Sequence, residues 1–215
     1  MTLADPLPRA SFADLLQPED TQFIQSFQQQ RSVTAGGETR YADRSVALWK
    51  AKVTTIPFLN AEAEGIMALI NSRAGGLKTI MLHNHRLPYP SSDPDGAIIG
   101  ATVPKLGTIT DRVTVAFTGF PNGYVMPLGS FFGILFDTSR YYLGQFCEAK
   151  TANGSGAISA VSIWPPLPAS ISGTPDVTIK QPVAKFRIEP GSAYPSKVDG
   201  LLSNIQFSAE QTYSA

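Results

Sequence analysis

Residues 107–188 constrain the fold of this chain more than any other stretch. Short segments rich in apolar and β-branched residues alternate there with turns that often fall at Asn-Gly, Ser-Gly or Pro. Segments of this length and spacing are typical of a small antiparallel β-barrel or sandwich, in which one face of each strand is buried. The segments that we predict as strands are residues 112–117, 131–136, 140–147, 157–164, 176–179 and 184–188.

Composition limits the size of the fold and the kinds of partner. The 215 residues suffice for one β-rich domain with at most a small annex. Charged residues make up 16% of the chain, below the roughly 25% that is typical of soluble domains. A surface so poor in charge suits a neutral β protein or a subunit whose faces are covered by neighbours. The 17 basic and 17 acidic residues cancel, which disfavours nucleic acid as a specific partner.

The sequence also bears on compartment and redox chemistry. It has no basic start followed by an apolar segment and no apolar run of roughly 18 to 20 residues, so we expect no signal peptide and no membrane anchor. The protein is therefore expected to be made and assembled in a cytoplasm. The single cysteine, Cys147, excludes an internal disulfide, and its apolar surroundings predict a buried small side chain.

Residues 1–30 are predicted to form an arm. Apolar residues at helical spacing indicate a short helix near residue 15 and a second helix over residues 22–30. The second helix would carry Phe23 and Phe27 on one face. We interpret this segment as a helical or extended arm that lies on a neighbouring subunit.

Residues 31–83 are predicted to open the main domain with a hairpin, a further strand, a helix and another strand. Gly36 and Gly37 mark the hairpin turn. The helix is predicted over residues 60–74, with Asn60 as its N-cap and a Gly-Gly pair as its stop. The predicted strands are residues 31–34, 38–41, 47–56 and 79–83.

The remaining segments complete the predicted organisation. Residues 85–107 lose the apolar periodicity and are rich in Pro, Asp, Ser and Gly, which predicts an exposed loop with a binding or assembly role. Residues 201–206 can supply a closing strand. The predicted divisions are an N-terminal arm (1–30), a β-barrel-like domain with one short helix (31–190), and a C-terminal arm with the closing strand (191–215).

The two histidines of the chain occur as a close pair. His83 and His85 lie on one face of an extended segment, a spacing that can hold a metal ion when another ligand arrives from elsewhere. Two histidines where a strand leads into a loop are better interpreted as a hydrogen-bonded surface pair. We therefore predict no metal site and no cofactor.

Carboxylates and serine offer no better case for catalysis. Two acids can hydrolyse a glycosidic bond when they flank it at a defined separation, but turn chemistry explains Asp93 with Asp95, and helix capping explains Glu62 with Glu64. Ser155 lies between two glycines in a sequence that is typical of a hairpin turn. It lacks the strand-to-helix context that a nucleophilic serine requires. We predict no catalytic residue and no enzymatic activity.

Aromatic residues and chain edges are the candidates for assembly. A closed ring needs two different complementary faces on each subunit, and strand edges and arms provide such faces because their backbone groups can pair with another chain. Most aromatic residues fall on predicted strands, where a core or a subunit interface is the expected environment. The candidate interface residues are Phe23, Phe27, Tyr89, Tyr124 and Trp164.

A series of short motifs adds a resemblance to a known family. The motifs occur, in order, at residues 37–41 (Gly-Glu-Thr-Arg-Tyr), 46–49 (Val-Ala-Leu-Trp), 73–76 (Arg-Ala-Gly-Gly), 127–132, 142–145, 153–156 and 163–167. Their layout over residues 31–210 resembles the distal tail proteins and related tail-tip components of long-tailed bacteriophages.

The resemblance implies a structural virion protein, located at the tail tip. Such subunits form a ring, usually a hexamer, at the end of the tail tube; the ring joins the tube protein to the central hub and supports fibres or receptor-binding proteins. Many members of the family add a C-terminal domain that resembles a carbohydrate-binding module. Little of this chain follows Glu189, so we expect that second domain to be absent or rudimentary.

Two other classes of protein remain open at this point. The chain can be a β-sandwich carbohydrate-binding module that recognises cell-surface glycan through Tyr89, Tyr124 or Trp164. It can also be a fragment of a glycan-degrading tailspike. Ring formation would indicate the tail-tip subunit. Glycan binding by a monomer would indicate the carbohydrate-binding module, and glycan cleavage would indicate the tailspike fragment.

Overall fold

The computed structural model describes residues 3–214 and has a mainly β architecture with one α-helix. Several of the longer strands alternate buried side chains with more exposed ones, as expected where one face of a sheet is covered. The helix is α1 (Asn60–Asn71), and short 3-10 turns span Arg9–Ser11 and Ala13–Leu15. The strands are β1 (Pro18–Ser26), β2 (Gln29–Val33), β3 (Thr39–Asp43), β4 (Leu48–Thr55), β5 (Phe58–Leu59), β6 (Ile80–His83), β7 (Lys105–Ile109), β8 (Thr114–Thr118), β9 (Val125–Met126), β10 (Phe131–Phe136), β11 (Arg140–Phe146), β12 (Lys150–Thr151), β13 (Ile158–Trp164), β14 (Val177–Thr178), β15 (Val183–Ile188), β16 (Tyr194–Lys197) and β17 (Leu202–Gln211).

The first sheet has the strand order β1-β4-β17-β15-β6, with β5 and β16 also paired to β17. Its strands pair antiparallel, and matching apolar residues face each other across the ladders, as Phe207 does with Val53 and Phe186 with Ile80. This buried face packs with α1, which contributes Ile66 to the same apolar cluster. The sheet and the helix thus enclose one hydrophobic core.

The C-terminal segment supplies a strand, as the sequence predicted, but it is part of this sheet and not an arm. β17 lies between β4 and β15, so it is a central strand. Every second residue along it is buried, including Ile205, Phe207 and Ala209. The predicted strand ends at residue 206, although the alternation of apolar and polar residues continues to Ala209 in β17.

The N-terminal segment contains both helical turns and extended chain, but it packs on its own subunit. Leu7, Phe12 and Leu16 are buried in the first core, and Leu7 forms a bridge with Ile80 at the outer edge of β6. The helix predicted over residues 22–30 is wrong, because most of that segment belongs to strands β1 and β2. Hence residues 3–26 are not a free arm.

The helix begins at Asn60, but Asn60 does not act as its N-cap. Its side-chain amide donates to the Gly200 carbonyl at 3.2 Å and its Oδ1 accepts from the Ser203 hydroxyl at 2.8 Å, so it ties the helix to the start of β17. Beyond the helix, the fully buried Arg73 donates to the carbonyl of Ala4 at 2.9 Å and thereby holds the N-terminal segment.

The second sheet has the order β14-β10-β11-β13-β8-β7 and encloses a second core. Its first and last strands approach each other at a single bridge, Lys105 with Asp176. The sheet is therefore strongly curled but does not close into a continuous barrel. Cys147 follows β11 and is exposed, which corrects the prediction of a buried thiol.

The hairpin of β10 and β11 lies between the two cores. Phe131 and Leu143 point to the first core, whereas Phe132 and Tyr142 belong to the second. The indole N–H of Trp49 donates to the Leu143 carbonyl at 2.8 Å, which satisfies a buried donor and joins the sheets. The two sheets thus share this hairpin as a common wall.

The segment between β6 and β7, which we call the excursion loop (residues 84–104), is anchored rather than freely exposed. Asp93 is fully buried, and Ile99 is part of the second core. The Gln181 N–H donates to the Pro88 carbonyl at 2.7 Å, which fixes the loop against the start of β15. The prediction of an exposed loop is therefore wrong for these positions.

Candidate assembly surface

Strands β2 and β3 form a hairpin that projects from the rest of the chain. The pair continues the β1–β4 ladder, because Ser26 pairs with Leu48 and, farther out, Gln29 pairs with Asp43. Every residue from 27 to 46 is exposed except Thr34, which is partly buried. We call residues 27–46 the projecting hairpin; neither of its faces contacts a core.

The tip of the projecting hairpin has the turn that the sequence predicts. Gly37 has a positive φ of 82°, which glycine adopts without strain. The Gly37 N–H donates to the Thr34 carbonyl at 2.9 Å, and the Glu38 N–H donates to the Thr34 hydroxyl at 3.2 Å. These bonds define the tip although nothing packs over it.

The two faces of the projecting hairpin differ in character. Arg31 is directly opposite Tyr41, and Val33 is two residues farther along the same face. Val33 is 58% exposed and Tyr41 65% exposed. The other face carries polar residues, with Arg40 opposite Ser32. One face, which we call the apolar face, therefore carries both exposed apolar side chains beside Arg31, with the polar pair of Gln29 and Asp43 nearer the base; the other face is mainly polar.

Two of the candidate interface residues meet at the base of the projecting hairpin. The rings of Phe27 and Trp164 have centroids 6.4 Å apart. They line an open groove of about 410 Å³, the base groove, together with Asp43, Arg44 and Ala47. The Gln29 side chain donates to the Asp43 carboxylate at 2.7 Å. The base groove combines an aromatic floor with a polar rim.

The other three candidate residues are not open to a partner in the same way. Tyr124 is buried in the second core, which corrects its assignment as an interface residue. Phe23 is partly buried against Phe131 and Phe186, with ring centroids 6.4 and 5.6 Å apart. Tyr89 is also partly buried, within the excursion loop.

A second open groove, which the sequence analysis missed, lies where the β1–β4 ladder ends opposite the projecting hairpin. This far groove has a volume of about 440 Å³. The exposed side chains of Leu15, Ile56 and Leu59 line it, and Glu62 of α1 stands at its wall. The one sequence feature that could have indicated this groove is Pro57, which ends the strand and leaves the apolar Ile56 and Leu59 just beyond it.

The two histidine rings pack against each other in a tilted arrangement, and His85 is only partly buried. Their ring centroids are 4.0 Å apart, His83 is buried, and His85 Nε2 lies 3.0 Å from the Ala13 carbonyl oxygen. Burial, and next the proximity of His85, lower the pKa of His83 to about 3. The interpretation as a surface pair is therefore wrong. Among residues 3–214 no group of three His, Cys, Asp or Glu side chains could hold a metal ion.

Asp93 is a structural acceptor within the excursion loop. The N–H groups of Ile98 and Ile99 each donate to its carboxylate at 3.0 Å, and the Tyr124 hydroxyl donates at 3.4 Å. Burial by itself would raise the pKa of Asp93, but these hydrogen bonds outweigh it and lower that pKa below its ordinary value. Asp95 accepts from the Ala97 N–H, so turn chemistry is confirmed for both acids.

The serine between two glycines is also part of a turn. The Asn153 side-chain oxygen accepts from the Ser155 N–H at 3.0 Å and from the Ala157 N–H at 2.9 Å. The Ser155 hydroxyl donates to the same oxygen at 2.8 Å. The serine therefore stabilises the turn before β13, as the sequence predicted.

Neither models of known protein families nor curated proteins gave a match to this chain. Within the described part, residues 3–214, no helix has the length and apolar character needed to cross a membrane.

Proposed function

We propose that this chain is a structural subunit of a bacteriophage tail tip that assembles into a homo-oligomeric ring. In this proposal the ring joins the tail tube to the central hub and supports fibre or receptor-binding proteins, and the protein performs no catalysis. The resemblance of the motifs over residues 31–210 to distal tail proteins supports the proposal and favours a hexamer.

The observation that carries the proposal is the projecting hairpin. A two-stranded hairpin without a third strand or a packed face is only marginally stable in water. This one exposes Val33 and Tyr41 and buries nothing within its own subunit. The presence of such a hairpin is best explained if a neighbouring subunit covers it in an assembly.

The edge of the first sheet supports the same interpretation. β1 pairs with β4 on one side, and no strand among residues 3–214 pairs with its other side. Its nine residues leave a row of backbone groups that can pair with another chain. By contrast, the opposite edge strand, β6, is covered by Leu7. The chain therefore protects one edge and leaves the other open.

The test is the size and shape of the purified protein. We expect light scattering to give a whole-number multiple of the 23.0-kDa subunit mass, and negative-stain images to show rings with a central channel. A protein that stays monomeric at high concentration, and that particle reconstructions place outside every annular layer of a tail, would contradict the proposal.

One observation favours a second candidate function, glycan recognition. The base groove places Trp164 and Phe27 beside Asp43 and Arg44, and an aromatic floor with polar neighbours is a surface on which a sugar ring can stack. Binding of cell-surface polysaccharide by a monomer, abolished by Trp164→Ala, would support this candidate. Rings that do not bind polysaccharide would exclude it.

A further inference from the structure

The projecting hairpin and the far groove lie at opposite ends of one strand pair. β1 and β4 are paired from Ser26 with Leu48 at one end to Pro18 with Thr55 at the other. The hairpin continues beyond the first end, and Ile56 opens the groove beyond the second. Eight residues of strand separate the two features by roughly 26 Å. A hairpin that points away from its own groove cannot reach it.

The far groove has the composition of a docking site for an apolar segment. Leu15, Ile56 and Leu59 are exposed in it, and the buried side chains of Phe58 and Ile66 form its floor. The carboxylate of Glu62 forms no ion pair or hydrogen bond with any residue in the described range. The groove is thus mainly apolar, with one carboxylate, Glu62, that has no ion-pair partner.

The apolar face of the projecting hairpin has the complementary character. Tyr41 and Val33 lie on it beside Arg31. Arg31 forms no ion pair within residues 3–214, whereas Arg40 on the opposite face is paired with Glu38 at 3.2 Å. The outer part of this face thus combines two exposed apolar side chains with one cation that has no ion-pair partner, while the Asp43 carboxylate nearer the base accepts from Gln29 at 2.7 Å. It is this outer part that complements the aliphatic lining and the carboxylate of the far groove.

We propose that the projecting hairpin of one subunit docks into the far groove of a second copy of this chain. Tyr41 and Val33 cover the aliphatic side chains of the groove, and Arg31 lies against Glu62. The inference rests on the proposed function, because this contact would be the one that builds the ring.

The position of the two surfaces determines the kind of assembly. Because they are different surfaces at opposite ends of one ladder, each subunit offers a hairpin to one neighbour and a groove to the other. Such heterologous contacts form a closed ring when the rotation between subunits closes. Docking also gives the marginal hairpin the packed face that its own subunit lacks.

Charge reversal tests the contact. Arg31→Glu and Glu62→Lys should each weaken subunit association at least about tenfold, and the double variant should recover most of it, since opposed charges are restored. Arg40→Glu is the matched control, because it makes the same charge change on the opposite face and should leave association unchanged. Arg31 and Arg40 are exposed, so their single variants should unfold close to the parent protein; Glu62→Lys, and with it the double variant, should unfold at a slightly lower temperature, because Glu62 lies in the first turn of α1.

Rings that assemble equally well with Arg31→Glu or Glu62→Lys would overturn the docking contact while leaving the ring itself intact. Equal loss of association with Arg40→Glu would also overturn it, because the effect would then not depend on the face.

A cross-link distinguishes failure of the contact from failure of the ring. In a Cys147→Ser background, which removes the exposed native thiol, Val33→Cys and Leu59→Cys place one thiol on the hairpin and one in the groove. Mild oxidation should join copies into a ladder of covalent oligomers that ends at the ring size. Non-covalent rings without a ladder would overturn the docking contact alone. Monomers without a ladder would overturn both the contact and the proposed function.

Discussion

The projecting hairpin connects two strands of the first sheet, whereas the excursion loop connects the first sheet to the second, and these two long segments are held in opposite ways. The excursion loop has little regular structure, but it buries Asp93 and Ile99. The projecting hairpin has regular backbone hydrogen bonds but buries no side chain. Regular secondary structure and attachment to the core are therefore separate properties in this molecule.

The difference follows from where each segment satisfies its polar groups. Asp93 accepts hydrogen bonds from two backbone N–H groups of its own loop and from Tyr124 of the second sheet's core. Lys180 donates to the Gly100 carbonyl from the other side. In the projecting hairpin the polar contacts, such as Gln29 to Asp43, stay within the hairpin. Apart from Phe27 at its base, which contacts Trp164, the hairpin makes no comparable contact with the rest of the fold.

The largest expected effect is loss of the buried acceptor in the excursion loop. Asp93→Ala leaves two backbone N–H groups and the Tyr124 hydroxyl without a partner, and should lower the free energy of unfolding by about 2–4 kcal/mol. Urea denaturation followed by circular dichroism measures this difference.

Two further variants separate the contribution of Asp93 from that of the loop in general. Asp95→Ala removes a carboxylate that accepts one exposed hydrogen bond, and should cost at most about 0.5–1 kcal/mol. Tyr124→Phe keeps the ring and removes one donor, so it should cost about 1 kcal/mol. Equal effects of Asp93→Ala and Asp95→Ala would show that the buried carboxylate does not anchor the loop.

A second effect is expected from acid at the root of the excursion loop. His83 has a folded-state pKa of about 3 against an ordinary value of 6.5, because burial and the neighbouring His85 and Arg9 oppose its protonation. Between these values the unfolded chain binds a proton that the folded chain does not. His83 therefore contributes stability that is fully present above pH 6.5 and is lost as the pH falls toward 3.

Histidine resonances in proton NMR provide the measurement. The chain has only two histidines, and the resonance of His83 should not titrate between pH 7 and 4. His83→Gln should flatten the dependence of unfolding free energy on pH over that range, because glutamine cannot take up a proton. A His83 resonance that titrates near 6.5 would contradict the buried, neutral state.

Local patterns predicted most of the fold. The strands expected at residues 131–136 and 140–147 appear as β10 and β11, with a one-residue difference at one end. The helix expected at 60–74 ends three residues earlier. Phe23 and Phe27 were misassigned to a helix because a spacing of four residues fits one helical face and also a strand of period two. Tertiary pairing with β4, which no short window contains, decides between them.

The candidate surface was less predictable, because exposure depends on contacts between distant segments. Tyr124 is buried in the second core, where its hydroxyl donates to Asp93, a residue 31 positions away in the sequence. The projecting hairpin has the sequence alternation of an ordinary strand pair. That alternation does not indicate that the hairpin is left uncovered. Of the five candidate aromatic residues, Phe27 and Trp164 come together at one surface. Sequence patterns report the secondary structure of a segment more reliably than its packing.

The smallest expected effect, and the sharpest test of the comparison, is removal of the projecting hairpin. Replacing residues 30–42 by Asn-Gly joins Gln29 to Asp43, which already pair, through a two-residue turn that suits an antiparallel hairpin. The removed residues bury nothing, so the free energy of unfolding of the monomer should change by no more than about 0.5 kcal/mol. Chemical denaturation of the shortened and parent chains measures it.

The same variant should lose assembly, which separates the stability of the subunit from the stability of the ring. In the parent monomer, amide hydrogens of residues 30–42 should exchange within the dead time of a manual experiment, whereas those of Ile98 and Ile99 should be protected, because only the latter are held by a buried carboxylate. A loss of more than about 2 kcal/mol on shortening would mean that the hairpin packs on its own subunit. The contrast with the excursion loop would then disappear, and with it the reason to expect a second copy as its partner.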